Sequence, residues 1–591
     1  MEATTFDGQW NLGDLFSGPD DPAIEKSRST AREQAASFSK TYKGRVATLD
    51  AAALAEAFAS YETVMAAVDA ATHYARLRFS VATDDSDVRA ANSAAEALNA
   101  ELNQVLAFFT VELTDMAEED LNALAMSPEL ESYRHYIGYQ LSFKPHTLSV
   151  DSEETIALKD ATGKTAWVNL YSQITGSLSF EVEVDGEKKS LTRAELMPLA
   201  VSSDRTLREK ASRASAATFE PHSDVLTYVF NTLFEDHRLE TSKRGYDDVL
   251  DYTILRDDLP ADVVHALLET TTANFDISHR YQAFRKRVLG LEDYQSMDLH
   301  APLFGDEPTF SWDEAQATVQ TAFDRFDPGV GEVARRFFDG RWIDVFPRKG
   351  KRSGAFCSPG TPDAHPWVMV NFAGQQKNVF TLAHELGHGL HFELARAQSP
   401  LNYWSGLPLA ETASVFAELW LHDLLMERAT SDEERIQLLN RQVYSCFTTA
   451  FHQVAYVNWE LRAHRARAQG VVSVEEMSSM WGEEVARCWG PSVALQERDK
   501  GRWMTIPHFV FARFYCYSYA FGKLLTLSLH RLWKEQGDAF VGDYLALLTA
   551  GGSQTPVELF DAMGLDLADP TFWQGGLDVV RGYMDELEQL A

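Results

Sequence analysis

A mainly α-helical fold is predicted by long stretches with helical periodicity, few strand-like segments and no repeat of fixed period. Residues 51–79 and 88–116 are rich in Ala, Leu and Glu, and their apolar positions recur about every three or four residues. Neighbouring helices of this length usually pack as antiparallel hairpins. The 591 residues, 45% of them hydrophobic, suffice for a large core. We expect a helical N-terminal region (residues 1–200) and a second helical region with a small sheet (201–591).

Two segments depart from the helical pattern. Residues 177–192 alternate apolar and polar side chains and contain the dipeptide Asp185-Gly186, which predicts a β-hairpin. Residues 365–374, "HPWVMVNFAG", form a β-prone run with Pro366 near its start. Since proline is tolerated best at the edge of a sheet, this run is predicted to be an edge strand.

The composition favours a cytoplasmic protein that binds neither nucleic acid nor membranes. Acidic residues outnumber basic ones 87 to 53, so phosphate backbones and anionic lipids should repel the chain. No signal peptide is recognisable, and no apolar run approaches the roughly 18 residues of a membrane span. The cysteines are far apart and form no CxxC pair, which predicts reduced, mostly buried thiols at Cys357, Cys446, Cys488 and Cys516.

The segment "TLAHELGHGL" (residues 381–390) contains the pattern His-Glu-x-x-His. On a helix His384 and His388 are one turn apart and can bind one metal ion, while Glu385 is placed to act as general base on a metal-bound water. Chance alone would produce this pattern in only a few per cent of such sequences. The surrounding residues are apolar, and two core histidines without a ligand would be costly to bury. These observations favour a zinc site.

Catalytic zinc usually has three protein ligands and one open position. His391 lies about 10 Å further along the helix axis than His384, too far to join the same ion, and is expected to line the cleft. Glu411 begins a strongly apolar segment, where a lone carboxylate would be costly, and is predicted to be the third ligand. Glu418, seven residues after Glu411 and on roughly the same helix face, either supports the site from behind the ligands or is simply a helix-surface carboxylate.

With these residues, the chain resembles the oligoendopeptidase F branch of the thimet-oligopeptidase-like zinc metallopeptidases. The similar segments occur in the family's order and run nearly end to end: "WNLGDLF", "RGYDDVLDYTI", "DLHAPLF", "GAFCSPG", "HPWVMVNFAGQQKNVFTLAHELGHGLH", "LAETASVFAE", "IPHFVFARFYCYSYAFGK" and "LLTAGGSQTPVELFDAMGLD". The resemblance implies a two-lobed helical shell around a deep channel, with one zinc ion per chain at its floor. It also implies that the protein hydrolyses internal bonds of short unstructured peptides.

The resemblance also implies roles for individual residues. The ligands would be His384, His388 and Glu411, with Glu385 as base. Residues 507–522 would supply groups that hold the substrate or its oxyanion. Of these, His508 and Tyr517 are predicted to be catalytic, with Tyr515 as the next choice of oxyanion donor. Substrate contacts are predicted for Tyr515, Tyr519 and Gly374.

The predicted edge strand would pair with an extended peptide by β-augmentation, which suits broad specificity. The neighbouring segment 351–360 is expected to form a loop that shapes the channel, and Cys357 within it is expected to be structural. Two alternatives are retained: a carboxypeptidase-type exopeptidase of related fold, and a catalytically inactive peptide-binding protein. The sequence makes no prediction of oligomeric state or of the residues preferred at the cleaved bond.

Overall fold

The computed structural model describes residues 7–305 and 308–591, and it confirms the mainly helical fold. The chain forms two compact units, each assembled from segments that are distant in sequence. Unit 1 takes its described residues from Met1–Lys144, Glu307–Arg428 and Leu532–Leu565, and unit 2 from Pro145–Asp306, Ala429–Arg531 and Asp566–Ala591. The predicted division at residue 200 therefore does not coincide with the structural one. Residues 145–200 pack within unit 2, where the Tyr171 hydroxyl donates to the carbonyl of Met504 at 3.0 Å.

Unit 1 consists of helices and one small sheet. Its helices are Pro22–Tyr42, Ala51–Val81, Ser86–Leu106, Phe108–Asp115, Glu118–Ala125, Arg134–Ser142, Trp312–Phe326, Pro328–Asp339, Gln376–Ala395, Leu407–Ala410, Thr412–Arg428, Asp538–Thr549 and Pro556–Ala562. The helix predicted over 51–79 is present as Ala51–Val81, while the one predicted over 88–116 is divided at Ala107. These helices pack together around a core that contains Phe58 and Phe109.

Unit 2 is also mainly helical. Its helices are Val150–Asp160, Lys164–Ser177, Arg193–Ala200, Arg205–Phe219, Ser223–Lys243, Asp251–Arg256, Ala261–Ala273, Phe275–Val288, Asp432–Cys446, His452–Gln469, Val474–Trp489, His508–Phe511, most of Tyr517–Gln536, and Pro570–Leu590. The predicted hairpin is present as strands Phe180–Val184 and Glu187–Leu191. Asp185 and Gly186 both have positive φ angles (54° and 80°), the conformation that a two-residue hairpin turn of this type requires.

The sheet of unit 1 differs from its prediction. Strand Trp367–Met369 lies in the centre of three strands, parallel to Ile343–Asp344 and antiparallel to Phe356–Ser358. The prediction of an edge strand is therefore wrong. Pro366 lies one residue before the strand, so its missing N–H removes no hydrogen bond from the ladder. The edge strand Phe356–Ser358 instead lies in the segment that was expected to be a loop.

The four cysteines are free, with three of them buried and Cys357 half-buried, as predicted. Within residues 7–305 and 308–591, the structure contains no helix with both the length and the apolar character needed to span a membrane.

Candidate metal and catalytic centre

The His-Glu-x-x-His pattern lies on the helix Gln376–Ala395, which we call the motif helix. The side chain of Asn378 accepts the backbone N–H of Gln375, and this capping interaction starts the helix just after the sheet. His384 and His388 lie on one face, with ring centroids 4.9 Å apart. Glu385 is only 6% exposed. The local sequence thus places two imidazoles together and a buried carboxylate beside them.

The third residue of the centre lies at the start of a second helix, Thr412–Arg428, which we call the ligand helix. Glu411 immediately precedes it. The two helices approach closely at Gly387, where an added Cβ would lie 2.5 Å from the carbonyl oxygen of Ala413 and 2.6 Å from the Cα of Ser414. Only a glycine at this position lets the backbones come this close, so Gly387 brings Glu411 near the histidines.

His384, His388 and Glu411 form a cluster whose donor atoms all lie within 4.8 Å of one another. The Oε2 atom of Glu411 is 3.4 Å from Nε2 of His384 and 3.6 Å from Nε2 of His388. Two donors bound to one tetrahedral zinc ion at about 2.05 Å lie about 3.3 Å apart. The types of donor atom and the two distances from Glu411 to the histidines therefore fit a zinc ion.

Three further contacts orient these side chains. Glu418 Oε1 accepts a hydrogen bond from Nδ1 of His384 at 2.9 Å, which leaves Nε2 free to bind a metal. The carbonyl of Ala410 lies near the ring of His388 and opposes the fall of its pKa. The Ser414 hydroxyl donates to Oε2 of Glu411 at 2.9 Å. The sequence left two interpretations of Glu418 open: a residue that supports the site from behind the ligands, or a helix-surface carboxylate. Its contact with His384 supports the first.

The charges of the centre act strongly on one another. Burial alone would lower the pKa of His384, but the hydrogen bond and charge of Glu418 and the charge of Glu411 raise it to about 9. Burial and the charge of His384 lower the pKa of His388. Burial raises the pKa of Glu385 to about 7, against the opposing charge of His384. A bound cation would stabilise neutral imidazoles and ionised carboxylates in this group.

Two residues near the motif lie outside the cluster. His391, on the motif helix, is 5% exposed, and burial lowers its pKa to about 3, so its ring is neutral. Burial also raises the pKa of the Cys357 thiol well above its usual value, which agrees with the structural role expected for it. The backbone N–H of Cys357, however, lies near the carboxylate of Glu385 and opposes the rise of its pKa.

The edge strand Phe356–Ser358 presents backbone groups next to Glu385. The amides of Val368 and Val370 donate to Trp342 and Asp344 on the other side of the central strand. By the alternation of an antiparallel pair, the backbone groups of Cys357 then point away from the sheet. Gly374, predicted to contact substrate, lies just before the motif helix, and its carbonyl accepts the amide of Phe310 at 2.8 Å.

In unit 2 the structure brings together three of the predicted residues of segment 507–522. His508 begins the helix His508–Phe511, and its Nε2 is 3.2 Å from the hydroxyl of Tyr519. The ring of Tyr515 is parallel to that of His508 (1°), with centroids 5.9 Å apart. All three side chains are half-buried, so they keep access to solvent.

Tyr517 does not join this group. Its side chain is fully buried, and its hydroxyl donates to Oδ2 of Asp257 at 2.6 Å. A hydroxyl in this position has no free proton and no open path to a substrate. The predicted choice of Tyr517 as oxyanion donor is therefore at odds with this geometry. No local signal in the sequence separates Tyr517 from Tyr515 and Tyr519, because the burial of Tyr517 depends on its distant partner Asp257.

Comparison with known proteins identifies the family and agrees with the fold. Residues 199–579 match the model of peptidase family M3, and residues 112–180 match that of oligopeptidase F. Since the first match covers more than half of the sequence, the chain belongs to peptidase family M3, a family of metallopeptidases.

Relatives with similar sequences cover almost the whole chain. Oligopeptidase PepF of Bacillus subtilis is 26% identical over 589 residues, which span 98% of this chain and 87% of the relative. Group B oligopeptidase PepB of Streptococcus agalactiae is 28% identical over 501 residues, or 84% of this chain and 83% of the relative. Their names agree with the predicted oligoendopeptidase F resemblance.

Solved structures share the fold. A protein from Chlamydophila abortus, described as a candidate peptidase, superposes with a TM-score of 0.88 at 22% identity, covering 99% of this chain and 98% of its own. Oligoendopeptidase F from Enterococcus faecium gives a TM-score of 0.71 at 22% identity, covering 96% and 98%. At these identities the likeness demonstrates the fold alone.

Proposed function

We propose that this protein is a zinc-dependent oligoendopeptidase that hydrolyses internal bonds of short unstructured peptides. The observation that carries the proposal is the cluster of His384, His388 and Glu411, with the buried Glu385 beside it. One zinc ion per chain and a cytoplasmic location remain predictions that accompany this function.

Zn²⁺ held by these three residues would activate a water molecule and polarise the scissile carbonyl. Glu385 would take the proton of the attacking water and return it to the leaving nitrogen. Its pKa, raised by burial, suits a group that must both accept and release a proton near neutral pH. Glu418 would keep Nε2 of His384 directed at the ion.

An extended peptide would bind along the edge strand Phe356–Ser358. The sequence had instead predicted this pairing for the segment that contains the strand Trp367–Met369. The outward carbonyl of Cys357 supplies a pairing acceptor next to Glu385. Backbone pairing tolerates many side chains, which agrees with action on varied peptides. Gly374, just before the motif helix, keeps its predicted substrate role as an expectation.

The half-buried group in unit 2 would stabilise the oxyanion and hold the substrate. We assign the donor role to Tyr515 or Tyr519, together with His508, because these side chains keep solvent access and Tyr517 does not. The loss of one oxyanion donor typically lowers kcat by about 100- to 1,000-fold.

Replacing Glu385 with Gln tests the mechanism. Glu385→Gln retains the side-chain shape but cannot accept the proton, so we expect full zinc content and a kcat lower by at least about 100-fold. Zinc is measured by mass spectrometry of the purified protein and kcat with an internally quenched peptide. Near-normal turnover by the variant would refute the role of Glu385, and a wild-type protein without zinc and without zinc-stimulated activity would refute the metal centre.

The two alternatives give different results with the same type of substrate. A carboxypeptidase-type enzyme needs a free terminal carboxylate, so it would leave a quenched peptide blocked at both ends intact. A catalytically inactive peptide-binding protein would bind the peptide without cleaving any form of it. We expect cleavage at an internal bond of the blocked peptide, identified by mass spectrometry of the products.

A further inference from the structure

A fully buried carboxylate lies beneath the turn that carries Tyr515. We call residues 512–516 the tyrosine turn; it joins the helices His508–Phe511 and Tyr517–Gln536. Glu460, on the helix His452–Gln469, is 0% exposed. Both of its carboxylate oxygens lie 3.0 Å from the backbone nitrogen of Phe514, which donates to them.

The residue that Glu460 holds has an uncommon backbone conformation. Phe514 has φ of +57°, in the left-handed region that costs a residue with a side chain about 1 kcal/mol or more. Its ring is fully buried and packs against the rings of His464 and His237, at centroid distances of 4.9 and 5.9 Å. Such a conformation persists only where the surroundings hold it, and the bond to Glu460 is a contact that does so.

Glu460 is costly for the protein to bury. Burial raises its pKa to about 8, although the Phe514 amide and the charge of Arg513 oppose the shift. Near neutral pH the side chain is therefore largely the neutral acid, whose carbonyl oxygen still accepts the amide hydrogen. A glutamine would keep this acceptor, and an apolar side chain would remove it.

Two other contacts of unit 2 fix the buried side of the same segment. Thr253 donates its hydroxyl to the carbonyl of Arg513 at 3.3 Å, and Tyr517 donates to Asp257 at 2.6 Å. The opposite side leaves Tyr515 half-buried, with its ring parallel to that of His508. The direction of the Tyr515 side chain therefore depends on the backbone angle at its neighbour Phe514.

We propose that Glu460 is a positioning residue that sets Tyr515 relative to His508 by holding the left-handed bend at Phe514. Glu460 itself contacts no substrate. The catalytic consequence rests on the function proposed above, with Tyr515 rather than Tyr519 as the donor beside His508, whereas the anchoring of the turn does not.

Two variants of Glu460 and one matched control test this role. Glu460→Met removes the acceptor with little change of volume, and Glu460→Gln retains it. The control is Glu484→Met, because Glu484 is another buried carboxylate on a helix of unit 2, 5% exposed and paired with Arg462 at 2.6 Å. For all proteins, kcat and KM are measured with a blocked quenched peptide, together with the melting temperature and zinc content.

We expect Glu460→Met to lower kcat about 100-fold, since displacement of a positioned group by about 1 Å has an effect of this size. KM should change less than about threefold, and zinc content should be unchanged. Glu460→Gln should restore kcat to within about threefold of the wild type, because it restores the hydrogen bond. If Glu484→Met lowered kcat as much as Glu460→Met, or if Glu460→Gln gave no rescue, the positioning role would be overturned.

Limited digestion by trypsin separates the anchoring from the catalysis. The bond after Arg513 lies inside the tyrosine turn, and Glu460→Met should be cut there at least about tenfold faster than the wild type or Glu460→Gln, because the turn opens more often. Wild-type rates of both cleavage and turnover in folded Glu460→Met would refute the proposal. Full activity of Tyr515→Phe would refute the assigned role of Tyr515 but leave the anchoring by Glu460 to be judged from the digestion alone.

Discussion

Gly387 lies where the motif helix meets the ligand helix, and its replacement by alanine tests how the metal centre is assembled. An added Cβ would lie 2.5 Å from the carbonyl oxygen of Ala413 and 2.6 Å from the Cα of Ser414. Carbon atoms in contact prefer about 3.5 Å or more, so the two backbones must separate by roughly 0.9 Å. Both contacts are with backbone atoms, which cannot rotate aside.

This separation would be transmitted to the metal centre. Glu411 is two residues before Ala413, and its carboxylate is 3.4 Å from His384 and 3.6 Å from His388. Metal sites tolerate deviations of only about 0.2 Å in their bonds, so a shift of roughly 0.9 Å exceeds the tolerance. Overpacking of this kind costs about 1–3 kcal/mol. If most of that cost falls on zinc binding rather than on folding, zinc affinity should decrease by about tenfold to 100-fold.

Two glycine variants in unit 1 are controls for Gly387→Ala. Gly389→Ala lies on the same helix, and its Cβ would be 2.5 Å from the ring of Phe337, a side chain outside the ligand helix. It should lower the melting temperature without a comparable loss of zinc affinity. Gly542→Ala, on the helix Asp538–Thr549, meets nothing within 4 Å and should leave both properties unchanged or raise stability by up to about 1 kcal/mol.

Zinc affinity is measured by competition with a chromophoric chelator, and melting temperature is recorded with and without zinc. Gly387→Ala should also gain less melting temperature on zinc addition than the wild type, since weaker binding stabilises the folded state less. A folded Gly387→Ala protein with wild-type zinc affinity would refute the argument that close helix contact sets the position of Glu411.

Two further predictions concern one residue in each unit. Glu418→Ala removes the acceptor for Nδ1 of His384, and zinc affinity should fall about 10- to 100-fold in the same chelator competition; an unchanged affinity would mean that Glu418 does not orient the ligand. Asp298, fully buried in unit 2, loses solvation there, but hydrogen bonds from Arg205 and Arg208 dominate and lower its pKa. A lowered carboxyl pKa stabilises the fold above the unfolded value of about 3.9, and this contribution is lost as the pH falls through the folded value. Asp298→Asn should cost about 3 kcal/mol at neutral pH and much less in strong acid, measured by urea unfolding at several pH values; equal losses at all pH values would contradict this reasoning.

The helical pairing of His384 and His388 was predictable because it is a local property. Residues four apart on a helix lie on one face whatever the rest of the chain does. The same applies to the hairpin turn at Asp185-Gly186, where the dipeptide selects the turn without distant contacts. Glu411 was predicted from its position before an apolar helix, where a buried carboxylate would need a partner. Its side chain is 47% exposed in the structure, so the cost of burial is not what holds it at the centre. The structure brings it to the two histidines, and its binding of zinc stays a prediction.

Other features depended on partners that lie far away in the sequence. The strand Trp367–Met369 becomes central because Ile343–Asp344 pairs with its second side, and nothing within residues 365–374 specifies that partner. Tyr517 differs from the half-buried tyrosines because its buried hydroxyl donates to Asp257, a residue 260 positions earlier in the chain. The position of an edge and the burial of one tyrosine among three are therefore decided by non-local packing.

By itself, the sequence determined the helical class and the face that holds His384 and His388, because both follow from local geometry. It also named Glu411 as the candidate third residue. Only the tertiary structure decided which groups orient them. Glu418 and Ser414 lie within reach of the cluster because Gly387 lets two helix backbones meet, and Glu460 supports the tyrosine turn from a separate helix. These contacts join residues on different segments of the chain, and the periodicity of the sequence does not indicate which segments meet.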